Sequence, residues 1–343
     1  MEIKQIRMGI VGAGTWGRTH ASIYAEHLFA DPVAICDMNE ARAREIADEF
    51  GIRKVYTDYH DMAADEEIDA VAIVTPDFAH ADIACAMADA KKDILIEKPL
   101  ATTKEDIARI CEAVEKNGVR CMVDLHNRWN PPFNTAKQEI SSGKLGKPYT
   151  AYIRHSDVKW VATDMLSWAS KSSILWFLGS HSLDSLRWLV GSEAKRVYSV
   201  KKEGILKGLG VDVPDIYLTT IEFENGVVAH MENGWVTPNG NRNINDFRCS
   251  VMCTEGMISL DLPSHNLIEE VTEEKATVPD ILVSNMVFDR CKGLSYESIR
   301  DFVDRLVDGK EFRVTLEDSR RTALAIIAIL ESAETGMPVE VEY

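Results

Sequence analysis

The sequence predicts a two-domain α/β protein, in which a doubly wound parallel sheet is followed by an α+β domain with a large, mainly antiparallel open sheet. Its 343 residues exceed what one typical core accommodates. In the first third, short continuous apolar runs alternate with amphipathic helical patterns, which indicates parallel strands and crossover helices. After residue 125, longer and partly alternating segments indicate antiparallel strands. The predicted domains are therefore residues 1–125 and 126–343.

The first domain begins with five apolar runs that are predicted strands. Each run is continuous, as expected for strands that are buried on both faces. They are residues 6–11, 32–37, 69–75, 93–97 and 119–124. Helical patterns occupy 80–92 and 103–117. For the second of these, Thr102 with Glu105 three residues later predicts the start, and Gly118 predicts the end.

The second domain opens with the polar segment HNRWNPPF at 126–133, which leads into a helix ending near 141–148. The segments 149–158, 194–203, 215–236 and 247–262 are predicted to form the antiparallel sheet. Asn225-Gly226 and Glu255-Gly256 predict its hairpin turns. Predicted helices cover the apolar stretch 172–190 and the closing segments 296–309 and 316–336.

Charge and cysteine content exclude several classes of partner and site. A formal net charge of −17 argues against nucleic acid and anionic membranes, which bind basic patches. Seven cysteines, an odd number found partly in apolar runs, indicate reduced thiols. Cys249 and Cys253 have no matching second pair, so we predict no metal site. No signal-peptide pattern and no apolar stretch of about 20 residues occurs, so we expect a cytoplasmic protein.

A glycine motif follows the first predicted strand. Gly12, Gly14 and Gly17 form G-x-G-x-x-G, and Asp37 stands 20 positions after Gly17 at the end of the second strand. This strand–turn–helix context is the one in which the motif binds a dinucleotide. Gly12 permits the turn, Gly14 lets the backbone approach the pyrophosphate, and Gly17 lets helix and strand pack closely. We therefore predict a Rossmann domain.

The cofactor is predicted to be NAD rather than NADP. Asp37 should accept hydrogen bonds from the ribose hydroxyls and would repel a 2′-phosphate. The next residues, Met38 and Asn39, offer no cation that would hold such a phosphate. Arg42 and Arg44, further along the chain, are the only argument for NADP in this segment.

A lysine leaves the same sheet edge in ILIEKPL, where Glu97, Lys98 and Pro99 follow a predicted strand. Ligands of open α/β sheets bind beyond the carboxyl ends of the strands. Most lysines at strand ends are solvated surface residues. Here Pro99 fixes the turn and Lys98 leaves beside the glycine loop, so we predict that Lys98 points toward the nicotinamide.

In order and spacing, these motifs resemble the glucose–fructose oxidoreductase/inositol dehydrogenase (Gfo/Idh/MocA) family over nearly the whole chain. The matching segments are GAGTWG (12–17), TPDFAH (75–80), EKP (97–99), NRWNPPF (127–133), GSHSLD (179–184) and 316–341. The resemblance implies NAD(P)-linked redox chemistry, often on sugars or polyols. It also implies that copies of the chain associate through the sheet face, as a homodimer or homotetramer.

The resemblance also assigns roles to residues. Lys98 would contact the substrate hydroxyl and the nicotinamide ribose, and His181 would be the acid/base. The predicted cofactor contacts also include Thr15, Trp16, Thr75, Pro76, His80 and Glu97. Alternatively, His80 is an N-terminal helix residue whose side chain forms hydrogen bonds with the local backbone. Arg128 would lie at the active-site mouth, or else form a surface ion pair.

The residue types suit the oxidation of an alcohol. Hydride leaves a carbinol carbon for the nicotinamide, and the hydroxyl proton must leave as well. Histidine has an unperturbed pKa near ~6.5 and can accept that proton at neutral pH. An ammonium group beside the same oxygen stabilises the developing negative charge.

One position departs from the family pattern. Family members often carry an aspartate four residues before this histidine, where this chain has Phe177. Phe177 and Trp176 are therefore predicted to shape an apolar or sugar-stacking wall of the substrate site. Asp184, three residues after His181, is counted among the predicted substrate-site residues, where it is expected to orient the imidazole or to pair with Arg187.

The remaining substrate candidates lie in two polar segments. They are Trp160, Arg154, His155 and Lys159 in the first, and Asn241, Arg242 and Asn243 in the second. Two other functions remain open beside the dehydrogenase. One is a glycosidase that uses tightly held NAD for transient oxidation and elimination, which the lost aspartate allows. The other is a non-catalytic, NAD-binding regulatory protein.

Overall fold

The computed structural model describes residues 5–263, 267–288 and 290–343. The chain forms two compact units. The first contains the described residues of Met1–His126 and Leu282–Arg320. The second contains those of Asn127–Ile281 and Arg321–Tyr343. The N-terminal division thus lies one residue from the predicted boundary, whereas 282–320 joins the first unit and not the second.

The helices and strands are numbered here in chain order. The α-helices are α1 Thr15–Glu26, α2 Glu40–Phe50, α3 Tyr59–Ala63, α4 His80–Asp89, α5 Lys104–Asn117, α6 Pro131–Ser141, α7 Ser180–Val190, α8 Ile205–Gly208, α9 Leu294–Asp308 and α10 Leu316–Thr335. The strands are β1 Ile6–Val11, β2 Ala30–Cys36, β3 Lys54–Tyr56, β4 Ala70–Ile73, β5 Asp93–Ile96, β6 Cys121–Val123, β7 Pro148–Asp157, β8 Ala194–Lys202, β9 Ile216–Phe223, β10 Val228–Gly234, β11 Asn245–Cys253, β12 Met257–Asp261, β13 Glu270–Val271, β14 Ala276–Thr277, β15 Asn285–Val287, β16 Arg290–Lys292 and β17 Val339–Glu340.

The first unit is built on a six-stranded sheet in the order β3-β2-β1-β4-β5-β6. All five pairings are parallel, which confirms the predicted doubly wound sheet. Strands β4, β5 and β6 are buried almost throughout, as their continuous apolar sequence indicates. Because parallel strands end at one edge, the loops after β1, β2, β4 and β5 emerge together.

Two local predictions in the first unit need correction. The short strand β3 was not predicted, because its three residues KVY are only half-buried and give no continuous apolar run. Helix α5 begins one residue later than expected, since Thr103 and not Thr102 is its cap. The Thr103 hydroxyl oxygen accepts a hydrogen bond from the Asp106 N–H at 3.1 Å. Gly118 ends α5 in a left-handed conformation, as predicted.

Helix α9 belongs to the first unit because its apolar face packs against α1 and β1. Ile299, Phe302 and Val303 on that face are completely buried. Phe302 also stacks on Phe312, with ring centroids 5.2 Å apart. Sequence patterning had shown this helix but not the surface against which it packs.

The second unit is built on a seven-stranded sheet in the order β12-β11-β7-β10-β9-β8-β17. Only the β7–β10 pairing is parallel, so the sheet is mainly antiparallel, as predicted. Asn225-Gly226 forms the β9–β10 turn, with Gly226 at φ +86°. Helix α7 packs on β7 and β10, and α6 packs on α7.

The apolar stretch 172–190 does not form one regular helix. A π-helical turn, Leu175–Gly179, leads directly into α7, and nearly every residue of α7 is buried. This turn holds Trp176 and Phe177, while α7 holds His181 and Asp184. In the described parts of the chain, no helix combines the length and apolarity that crossing a membrane requires.

Candidate functional site

The glycine loop between β1 and α1 has a shape that excludes side chains at two of its three glycines. Gly12 has φ +111°, and a Cβ atom there would lie 2.5 Å from the Val74 carbonyl oxygen. A Cβ atom on Gly17 would collide with the Gly12 carbonyl oxygen. Gly14 is different, since a Cβ atom there would meet no atom within 4 Å. The open space above Gly14 suits the close approach of a ligand.

Helix α1 starts beside this open space. Gly14 is its N-cap residue, and no side chain of the described residues caps it. Thr15 and Trp16 in its first turn are exposed, with Trp16 at 37%. The uncapped N–H groups and the positive end of the helix dipole are suited to hold a phosphate.

The Asp37 carboxylate is fixed against the same loop. One oxygen, Oδ2, accepts a hydrogen bond from the Ala13 N–H at 2.7 Å, and Oδ1 accepts one from the Asn39 N–H at 2.8 Å. Met38 beside it is 94% exposed. Arg44 forms an ion pair with Glu40 on its own helix. A carboxylate held in this position suits ribose hydroxyls and repels a 2′-phosphate.

His80 joins two loops at the carboxyl edge of the sheet. Its ring is completely buried, with Nδ1 2.8 Å from the Pro99 carbonyl oxygen and Nε2 3.0 Å from the Thr75 carbonyl oxygen. Burial lowers the pKa of His80, and a neutral ring donates its one N–H to one of these two carbonyl groups. The ring thus lies at the start of α4 between the backbone of the half-buried Thr75 and that of Pro99.

The two charged residues after β5 differ in their surroundings. Glu97 is buried, and its Oε1 accepts a hydrogen bond from His20 Nε2 at 3.1 Å. Lys98 is half-buried and precedes the buried Pro99. The Glu97 side chain therefore lies in the interior of the first unit, beside His20.

In the second unit, His181 lies near a second histidine. Its side chain is 3% exposed, and its ring centroid lies 6.4 Å from that of His155 on β7. The His155 ring stacks on Phe247 of β11, with centroids 3.9 Å apart. His155, one of the weaker candidates from the sequence, is therefore a neighbour of the predicted acid/base.

Arg128 and Asp184, both predicted to contact substrate, bind each other. Arg128 Nε and Nη2 donate hydrogen bonds to the two Asp184 oxygens at 3.0 and 2.7 Å. Asp184 is completely buried, and Arg187 Nη1 lies 3.8 Å from its Oδ1. Asp184 therefore holds Arg128 with two hydrogen bonds and also forms the expected ion pair with Arg187. This bidentate pair joins the segment before α6 to helix α7.

Phe177 is part of an aromatic cluster. Its ring lies 5.8 Å from Trp235 and 6.3 Å from Trp168, measured between centroids. Phe177 is half-buried, whereas Trp176 is 5% exposed. Phe177 thus forms a ring cluster with Trp168 and Trp235, while Trp176 belongs to the core.

Two further substrate candidates, Arg154 and Trp160, are hydrogen-bonded or ion-paired to other residues of the second unit. Arg154 forms ion pairs with Glu232 at 3.0 Å and Asp246 at 3.1 Å across neighbouring strands. Trp160 is half-buried, and its backbone N–H donates to Asn239 Oδ1 at 3.0 Å.

Sequence reasoning missed two buried residues that contact predicted site residues or their neighbours. Asn233 donates hydrogen bonds to the His155 carbonyl oxygen and the Ser182 hydroxyl, both at 2.9 Å, and so joins β7 to α7. Trp235 is completely buried against Phe177. In the sequence, the segment ENGW at 232–235 indicates the end of a strand. The polar Asn233 and the bulky Trp235 in that segment were the signal that could have pointed to these contacts.

The predicted residues divide cleanly between the units. Every predicted cofactor residue lies in the first unit, whereas His181 and every predicted substrate residue lie in the second. Within the first unit, the glycine loop, Asp37, and the Thr75 and Lys98 loops share one sheet edge, a set of groups suited to a dinucleotide.

Comparison with known proteins covers both units. Residues 6–125 match a family model described as an oxidoreductase family with an NAD-binding Rossmann fold. Residues 133–259 match a model of the GFO/IDH/MocA C-terminal domain.

Individual relatives match almost from end to end. The chain is 29% identical to scyllo-inositol 2-dehydrogenase (NAD(+)) of Bacillus subtilis, over 98% of this chain and 97% of the relative. It is 26% identical to myo-inositol 2-dehydrogenase of Thermotoga maritima, over 98% and 99%. Among solved structures, levoglucosan dehydrogenase in complex with NADH and L-sorbose superposes with a TM-score of 0.83 at 26% identity, covering 99% of each chain.

Proposed function

Because the chain belongs to the Gfo/Idh/MocA family of oxidoreductases, we propose that it is an NAD-dependent dehydrogenase of a sugar, polyol or related hydroxy compound. The observation that carries the proposal is the glycine loop with the Asp37 carboxylate hydrogen-bonded to it. The relatives named inositol 2-dehydrogenase make cyclic polyols the first compounds to test.

The first unit supplies the groups that would hold NAD. The α1 N-terminus and the loop at Gly14 would bind the pyrophosphate, and Asp37 would accept hydrogen bonds from the ribose hydroxyls. Thr75 and Pro76, at the loop beside the buried His80 ring, would line the cofactor side. When bound, NAD supplies the acceptor for hydride.

Lys98 and His181 are proposed to manage the hydroxyl proton. The Lys98 ammonium would stabilise negative charge on the substrate oxygen, and the His181 imidazole would accept the proton. Support comes from the EKP and GSHSLD motifs and from the position of Lys98 after β5, at the carboxyl edge of the parallel sheet.

The aromatic cluster is proposed to recognise the substrate ring. The half-buried Phe177 and Trp168 offer apolar faces, with the buried Trp235 packed against Phe177, and sugars and cyclic polyols present C–H faces that pack on such rings. Arg128, fixed by Asp184, is proposed to add a directed donor near the hydroxyl groups.

Purified protein tests the proposal when it is mixed with NAD and a panel of cyclic polyols, sugars and their acids, with NADH absorbance as the readout. We expect NADH in proportion to oxidised product. Lys98→Ala and His181→Ala should each lower turnover by at least ~10²-fold while calorimetry still detects NAD binding. The exposed residues Lys144 and His60 supply the control variants Lys144→Ala and His60→Ala, which should keep wild-type activity.

Three results would contradict the proposal. Full activity in Lys98→Ala or His181→Ala would remove the assigned proton chemistry. Product without net NADH would instead support the NAD-assisted glycosidase. Binding of NAD without turnover of any compound would support the regulatory protein.

We also propose that the chain forms a homodimer or homotetramer through the outward face of the second-unit sheet. Tyr198, Val200, Val228 and Met252 on this face are each more than 40% exposed. Such a set of exposed apolar groups is typical of an interface. Multi-angle light scattering should return two or four chain masses, and a monomer mass would contradict this proposal.

A further inference from the structure

A cluster of three ionisable side chains inside the first unit has no role in the function proposed above. His20 comes from α1, Glu97 follows β5, and Asp124 follows β6. His20 and Asp124 are completely buried, and Glu97 is 7% exposed. One imidazole nitrogen and one oxygen of each carboxylate all lie within 4.8 Å of one another.

Two members of the cluster are hydrogen-bonded, and the third is not. The Tyr24 hydroxyl lies 3.1 Å from His20 Nδ1, and His20 Nε2 lies 3.1 Å from Glu97 Oε1. Neither carboxylate oxygen of Asp124 has a hydrogen-bond partner among the residues that the structure describes. Its one ion-pair contact there is with His126, whose Nδ1 lies 3.7 Å from Oδ2.

Histidines supply the ion-pair contacts of these two carboxylates among the described residues. Within the described ranges, no lysine or arginine forms an ion pair with Glu97 or Asp124. Burying a carboxylate is costly unless a positive group compensates it. Tyr24 does not compensate, because burial and the charges of Asp124 and Glu97 raise the pKa of its phenol, which stays neutral.

We propose that His20, Glu97 and Asp124 bind a divalent transition-metal ion of the Zn²⁺ or Mn²⁺ class. One imidazole and two carboxylates are ligands that these ions accept, whereas Ca²⁺ requires about six to eight oxygens. The 3.1 Å between His20 Nε2 and Glu97 Oε1 is close to the separation of neighbouring ligands that each lie about 2.1 Å from one ion. Asp124, the carboxylate without a hydrogen bond, supplies the third ligand.

The surroundings of His20 fit a ligand histidine. A metal-bound imidazole almost always has its other nitrogen hydrogen-bonded, which fixes the ring. Tyr24 occupies that position at Nδ1. With the metal on Nε2, Nδ1 carries the proton and donates it to the Tyr24 oxygen.

The consequence of such a site is structural. It would join helix α1, which starts at the glycine loop, to the segment that carries Lys98 and to the end of β6. Metal binding then stabilises the first unit in the absence of NAD and substrate. The inference is therefore independent of the proposed function, and each can fail alone.

The test uses the full chain, stripped with dipicolinate and EDTA and free of NAD. Elemental analysis, calorimetry and thermal unfolding are measured with added Zn²⁺ or Mn²⁺. We expect one ion per chain and a higher unfolding midpoint. Asp124→Asn, which keeps the shape of the side chain, should weaken binding by at least ~10-fold. The control Asp61→Asn removes an exposed carboxylate beside the exposed His60 on α3 and should bind as the wild type does.

Two results would overturn the proposal. The first is that stripped wild type binds no Zn²⁺ or Mn²⁺. The second is equal affinity in wild type and Asp124→Asn, which places the bound ion elsewhere. Should Asp124→Asn not fold, His20→Gln takes its place, because it removes the nitrogen ligand and leaves both carboxylates.

Discussion

Burial acts on the protonation of the His80 side chain. Its ring lies completely inside the first unit, between the carbonyl oxygens of Thr75 and Pro99. Burial lowers the pKa of this imidazole in the folded protein. In the unfolded chain the ring is solvated, and its pKa returns to about 6.5. Folded and unfolded states therefore differ in the protons they bind in mildly acidic solution.

We predict that His80→Gln reduces the acid sensitivity of folding. Below about pH 6.5 the unfolded wild type binds a proton at this residue that the folded state does not, so the free energy of unfolding decreases as pH falls. The loss continues down to the lowered folded pKa, and the contribution is complete above the unfolded value. The advantage of the wild type over His80→Gln should therefore shrink from pH 7.5 to pH 5, by at most about 1.4 kcal/mol per pH unit.

Urea denaturation across that pH range measures this difference. The control His60→Gln, on the exposed face of α3, should follow the pH dependence of the wild type. Parallel curves for the wild type and His80→Gln would contradict the prediction.

At the residue scale, the spacing of residues in the sequence predicts contacts within one helix better than contacts between segments that are distant in the chain. Asp184 was expected to serve His181 or Arg187, which are three residues away on the same helix. Its hydrogen bonds come from Arg128, which is 56 residues away in the chain. His155 near His181, and Asn233, which donates to the His155 carbonyl oxygen and to Ser182, are likewise brought there by the fold and not by spacing. The residue types indicated acid/base and ion-pair chemistry, whereas the fold determines which of these residues contact each other.

At the element scale, two glycines of the loop between β1 and α1 differ in why they are glycines: Gly17 is needed for packing, and Gly14 for ligand approach. Gly17 touches the Gly12 carbonyl group, whereas the space above Gly14 is open. The two glycines occur in one motif, yet only the structure distinguishes their roles.

We predict opposite outcomes for alanine at these two positions. Gly17→Ala should lower the free energy of unfolding, because its methyl group meets backbone that cannot move without displacing α1 from β1. Gly14→Ala should leave stability within about 1 kcal/mol, because its φ of −79° suits alanine. If the open space holds the pyrophosphate, Gly14→Ala should weaken NAD binding at least ~10-fold.

Denaturation and NAD calorimetry on both variants give the readout, with each variant as the control of the other. Wild-type stability in Gly17→Ala would contradict the packing argument. Wild-type NAD affinity in Gly14→Ala would contradict the placement of the pyrophosphate.

Elements differed in how well the sequence predicted them. The runs that became β1, β4 and β5 were predicted because strands buried on both faces are continuously apolar. The edge strand β3 was missed, since half-burial leaves no such run. The π-helical turn Leu175–Gly179 was also missed, because a one-residue change in hydrogen-bond spacing leaves the apolar pattern of the segment intact.

At the scale of the whole molecule, the sequence predicted two units but could not assign residues 282–320. Amphipathicity shows that helix α9 must bury one face, without showing which surface covers it. The same limit applies to His20, Glu97 and Asp124, which come from three separate segments and form no spaced motif. Their proximity follows from the order of parallel strands and the helix beside them.

The contacts of α9 lead to a prediction about the first unit as a folding unit. Ile299, Phe302 and Val303 are completely buried, and each such side chain contributes about 1.5–3 kcal/mol. Together they are comparable to the total stability of a typical domain, about 5–15 kcal/mol. The Arg120 side chain also donates to the Arg305 carbonyl oxygen at 3.0 Å.

We therefore expect residues 1–126 alone to lack a cooperative thermal transition, and residues 1–126 joined by a flexible linker to 282–320 to show one. Circular dichroism on heating compares the two proteins. In the fusion, Phe302→Ala should lower the unfolding midpoint strongly, because it empties a fully buried position. Val307→Ala on the same helix should change it little, because Val307 is 39% exposed. Cooperative unfolding of 1–126 at the midpoint of the fusion would show that the sheet and its five crossover helices fold without α9.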